Sequence, residues 1–246
     1  MDPIVIALKD PPQDHLEELI AAYSQKDFRG TYLKAKKLLE KFPKSIVLLN
    51  LCGASNSKLK QYEIAQSYYH KAIVIAPENP GGYQNIGVLF NEKLEHDTAI
   101  HNFDKALTLK PDFAEAHKNK AVALMNQNRL WNAMESIKKA IEINSSYSEA
   151  YLIKGTIHYN IFQYSEALDN IKKAIELNPE FDGSHFIMSK IYHKLNNHTA
   201  AIMCCDQALR LNKKNNDEDS KDLNNKLAYG KNRRILEKFC EKQFKK

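Results

Sequence analysis

Apolar and small residues recur three, four and seven positions apart between short polar breaks, as in Tyr83, Ile86, Gly87 and Phe90. That spacing places them on one face of a helix, whereas a strand would alternate them. The pattern also repeats at a fixed interval. Pro43, Pro77, Pro111 and Pro179 fall on one 34-residue lattice whose remaining nodes are Ser145 and Lys213. Twelve residues before each node stands Ala65, Ala99, Ala133, Ala167 or Ala201, and five before it Ala72, Ala106, Ala140, Ala174 or Ala208. Seven residues are two helical turns, so both alanines share a stripe where a methyl group lets a neighbouring helix approach closely.

Upstream in each period lies a second amphipathic stretch, such as Leu49, Cys52 and Gly53, joined to the first by a short turn. Tyr62, Leu130 and Tyr164 are placed to pin that turn, with His96 and His198 in the same slot. Each period therefore predicts a helical hairpin, and the chain an all-α fold. These residues, and segments such as GGYQNIGVLFNEKLEHDTAIHNFDKALTLKP, resemble the tetratricopeptide repeat (TPR) family. The resemblance implies a right-handed α-solenoid of six hairpins at 13–45, 46–79, 80–113, 114–147, 148–181 and 182–215, after an N-terminal extension, 1–12. Two departures stand out. The first unit reads as one residue short in its turn, with Leu16, Leu19, Ile20 and Tyr23 shifted against Phe28, Ala35 and Leu38. The family's turn glycine is replaced by Lys60, Leu94, Asn128, Phe162 and Asn196. Only asparagine enters the left-handed region cheaply, so a right-handed backbone is expected at Lys60, Leu94 and Phe162.

Small hairpins bury their apolar faces only by stacking, so the ends need covers. Residues 216–246 supply one: Ser220 can cap a helix carrying Leu223, Leu227, Ile235, Leu236, Phe239, Cys240 and Phe244, divided near Gly230. A chain ending on this capping helix is the expectation. Residues 221–246 hold nine Lys or Arg against three Asp or Glu, which accounts for the whole net charge of +6. Such a tail can touch nucleic acid, but few aromatic platforms interleave with its charges, and a solvated cap is favoured. The opening MDPIVIALKDPP has no basic start and only a five-residue apolar run, so neither a signal peptide nor a membrane span is expected. Cys52, Cys204, Cys205 and Cys240 lack CxxC spacing and read as small apolar residues in a reducing, cytoplasmic setting.

Chemistry finds little footing. Nine histidines form no metal-ligand spacing, there is no P-loop, GxGxxG or GxSxG, and eight glycines leave little backbone to cradle phosphate. Neither an enzyme nor a bound metal or cofactor is expected. Trp131 reads as packing over a hairpin end.

The resemblance implies a concave groove, lined by the first helix of each unit, that holds a protein or peptide. There unit three offers Gln84, Asn85 and Asn91, and unit four Lys118, Asn119 and Asn126, whose side chains can bond an extended backbone. Asn85 and Asn119 share one slot and look like a short version of the asparagine ladder of O-linked N-acetylglucosamine transferases. Units five and six place Leu152, Ile153, Tyr159, Phe186 and Ile187 on that face, an apolar patch needing either a partner segment or the chain's own tail, with Lys190 beside it. The cation set that grips acidic chaperone tails in some TPR domains is absent in every register. The favoured function is a protein-binding adaptor. The alternative is a substrate-recruiting region of a glycosyltransferase- or sulfotransferase-type enzyme, and self-association through the first unit or the apolar patch is a third reading. If the alanine stripe is a helix contact, Ala174→Leu should destabilise the protein by about 1–3 kcal/mol in urea unfolding; an unchanged midpoint would contradict the stripe.

Overall fold

The computed structural model describes residues 10–217, so most of the predicted cap over 216–246 and most of the N-terminal extension lie outside the described residues. Among those described there are twelve α-helices and no strand. The chain divides into two compact units, residues 1–127 and 128–246. The first holds α1 (Gln13–Ser24), α2 (Phe28–Leu39), α3 (Ile46–Lys58), α4 (Tyr62–Ile75), α5 (Pro80–Glu92), α6 (His96–Leu109) and α7 (Ala114–Asn126). The second holds α8 (Leu130–Ile143), α9 (Ser148–Asn160), α10 (Tyr164–Leu177), α11 (Asp182–Lys194) and α12 (His198–Asp217). Within each unit consecutive helices pack together, and first helices of successive hairpins also touch: α3 with α5, α5 with α7, and α9 with α11.

Both alanine stripes are buried at every node, from Ala65 to Ala201 and from Ala72 to Ala208. A second small-residue slot faces the partner helix of the same hairpin. A methyl group at Gly53 would lie 2.5 Å from Tyr69 Cε1, one at Gly87 2.5 Å from Phe103 Cε1, and one at Gly155 2.7 Å from Ile171 Cδ1. Each pair nests a large side chain in the space a missing Cβ leaves. One period before Gly53 and Tyr69 the sizes are exchanged: Leu19 and Ala35 hold those slots, both in one buried cluster. The first unit is therefore not short in its turn. Its large and small partners are reversed, which is what made it look displaced.

The turns overturn a second expectation. Lys26, Lys60, Leu94, Asn128, Phe162 and Asn196 all have φ between 59° and 65°, one node per period. The reason is the pattern of hydrogen bonds closing each helix. After α5, Leu94 N–H donates to Asn91 O at 3.1 Å and Glu95 N–H to Phe90 O at 2.9 Å. The same pair recurs after α1, α3, α9 and α11. This arrangement needs one left-handed residue after the helix and pairs carbonyls that would otherwise be orphaned, which outweighs the local preference of Lys, Leu or Phe.

Second helices stop differently. Lys110 and Asn178 are extended before Pro111 and Pro179, and Ala76, at φ −138° and ψ 75°, also leaves the helical region before Pro77, as proline favours in the residue ahead of it. At Ser145, without proline, Asn144 is still extended, its side chain accepting from Ser146 N–H at 3.0 Å. At Lys213 nothing interrupts, and α12 runs on to 20 residues. Cys52 and Cys204 are free thiols, and burial pushes Cys52 up to about 12. Cys205 is disulfide-bonded, so the reading of all four cysteines as reduced fails there.

Two substitutions of opposite sign follow. Gly87→Ala should lower stability by about 1–3 kcal/mol through overpacking against Phe103, more than helix propensity returns. Leu94→Gly, at a side chain 76% exposed, should raise it by up to about 1 kcal/mol by relieving the left-handed backbone. Urea unfolding reads both, and a sign reversal in either would contradict the packing or the turn geometry.

Candidate functional site

The faces that first helices present one period apart form two candidate sites, one on each compact unit. In the first unit, Asn50, Gln84 and Lys118 occupy one lattice position, Asn85 and Asn119 the next. Gln84 is only 3% exposed, and neither amide atom finds a protein partner; Asn50 Oδ1 is likewise enclosed and unpaired. Gln84 is thus withdrawn from any ligand at the surface. Asn85 and Asn119 are half-buried, and their side-chain amides make no hydrogen bond with any described residue. The Asn91 amide oxygen accepts from His96 Nδ1 at 2.7 Å, so this residue ties the hairpin turn. Asn126 lies exposed at the end of α7, and Lys118 is half-buried on it.

In the second unit the apolar patch divides. Leu152, Tyr159 and Ile187 pack against the buried cluster of Ala167, Ile171 and Ile191 and so belong largely to the core. Ile153 and Phe186 are half-buried outside it. Tyr159 lies 5.8 Å from the Tyr164 ring, and burial raises its phenol above the ordinary range, with Tyr164 adding. The Lys190 ammonium lies 5.1 Å from the Tyr159 ring centroid and 5.8 Å from that of Phe186. This grouping was readable in part: Phe186 and Lys190 are four apart on one helix face. The contact from Tyr159, on the preceding hairpin, requires the stacking register.

Elsewhere a charge reversal separates neighbouring repeats. Lys120 pairs with Asp104 at 2.6 Å, whereas one period on Lys154 faces Lys138, and burial together with that lysine holds Lys154 below the ordinary range. Two of the histidines brace the prolines ahead of their helices: His117 donates to Pro111 O at 2.9 Å and His185 to Pro179 O at 3.3 Å. Among the described residues no group of three or more His, Cys, Asp or Glu is placed to hold a metal ion, and no helix is long and apolar enough to cross a membrane. Trp131 is 75% exposed, so it does not pack over the hairpin end as expected.

Tetratricopeptide repeat models match residues 92–148, 148–181 and 183–215, together half of the chain. The chain belongs to the tetratricopeptide repeat family. No curated protein sequence matches it. Solved TPR-like structures include PilF of Pseudomonas aeruginosa, with 16% identity over 80% of this chain and 90% of that one, at a TM-score of 0.67. Cut9 with Hcn1, from an APC/C hetero-tetramer, matches at 13% identity over 80% of this chain and 39% of that one, at 0.73. YrrB, described as a TPR protein with an unusual peptide-binding site, matches at 19% identity over 80% and 97%, at 0.52. These likenesses show a shared fold. TPR proteins are generally protein-interaction scaffolds.

The Lys120–Asp104 pair sets an expectation for its neighbour. Lys138→Asp should recreate that pair with Lys154 and stabilise the protein by about 0.2–1 kcal/mol, less at high salt. A variant less stable than wild type at low salt would contradict the assigned proximity.

Proposed function

We propose that this chain is an adaptor without catalytic activity of its own, binding a protein or peptide segment on the faces of its first helices. Asn85 and Asn119 carry the reading. Two side-chain amides one repeat apart, half-buried and unbonded to any described residue, offer a donor and an acceptor each to an extended backbone. They support the likeness to a short asparagine ladder, and Lys118 and Asn126 flank them on α7. On the second unit Phe186 and Ile153 are half-buried and offer apolar contact area. Six hairpins over 13–215 closed by a basic cap, 216–246, remain the organisation we favour.

The test is affinity purification with mass spectrometry, comparing wild type with Asn119→Ala/Phe186→Ala. Partners should be lost while helicity is kept, and Phe186→Ala alone should cost roughly 1–4 kcal/mol of partner affinity if it is an anchor. The same partners at the same yield from both proteins would contradict the reading.

A further inference from the structure

The Lys190 ammonium is held between two rings, 5.1 Å from Tyr159 and 5.8 Å from Phe186, and pairs with no carboxylate among the described residues. Ring quadrupoles offset part of the hydration it loses, but they supply no counter-ion. Past Asp182 the charged side chains of α11 are Lys190 and Lys194, and past Glu149 that of α9 is Lys154. Asp182 is engaged elsewhere, accepting from Asn212 Nδ2 at 2.6 Å. Burial, and then Lys194, hold the Lys190 ammonium below the ordinary lysine range, the condition a bound carboxylate would relieve.

We propose that this face of the second unit docks a partner-protein segment in which an apolar side chain is flanked by an aspartate or glutamate. The apolar side chain sits against Phe186 and Ile153, and the carboxylate pairs with Lys190. The inference rests on the adaptor reading and adds the chemistry of its ligand. Charge complementarity selects this occupant over the chain's own residues 221–246, whose nine Lys or Arg against three acids would be repelled by the same face.

Random dodecapeptides displayed on phage, selected against the full chain, test it. Wild type should enrich an apolar residue with Asp or Glu at a fixed offset, and Lys190→Glu should shift that position to Lys or Arg. Replacing the acid of a selected peptide by its amide should weaken binding to wild type about tenfold and leave binding to Lys190→Gln unchanged. Circular dichroism checks that both variants keep their helices, and Lys190→Gln serves alone if the charge reversal unfolds. Peptides that need Phe186 but show no acidic preference would overturn the inference and leave the adaptor reading standing. Binding that appears only after residues 221–246 are removed would make the tail the occupant, again overturning it. Failure to enrich any peptide would overturn both.

Discussion

Complementary size across the two helices of a hairpin, seen in the first, second, third and fifth, is the constraint on which the rest of the structure depends. Tyr69, Phe103 and Ile171 fill the space left by glycine at 53, 87 and 155, while alanine stripes bring the helices close enough for that filling to matter. The exchange of Leu19 and Ala35 shows that neither slot demands a particular residue; what the first three hairpins keep is one large side chain set against one small. Interiors near close packing penalise both a void and an extra methyl, so this pairing acts as a register mark. Stacking then follows, because each hairpin leaves an apolar face that only its neighbour can cover.

Much of this was legible in the sequence, since a contact tolerating only small side chains leaves a period that no other pressure produces. Two features were not. Left-handed turns at Lys60, Leu94 and Phe162 contradict what those side chains prefer locally, and the cause is a pair of backbone hydrogen bonds that composition does not reveal. The first hairpin looked displaced because its signal is inverted: a large residue stands where small ones recur, and the reverse. Trp131 misled for another reason, since its position at the start of α8 does not say whether the ring lies over the hairpin or in water.

The candidate site was legible to the level of a helix face and no further. Gln84 and Asn85 are adjacent in sequence, yet one is enclosed and the other half-buried without a protein partner, a difference set by about 100° of helical rotation. Leu152, Tyr159 and Ile187 looked like a surface patch because their spacing matches the inner face, but long side chains also reach back toward the hairpin's core. Lys190 shows the converse. Its place beside the patch and one turn from Phe186 was readable, but only the stacking of α11 on α9 brings the Tyr159 ring to it.

A double-mutant cycle tests the size-complementarity constraint most directly, by building the Leu19 and Ala35 arrangement into the third hairpin as Gly87→Leu and Phe103→Ala. Each single variant should be strongly destabilised in urea unfolding, one by overpacking and the other by a void. The account predicts that the pair recovers at least about 1 kcal/mol relative to the sum of the singles. Additive losses would contradict it, because they would mean the two slots do not share one volume.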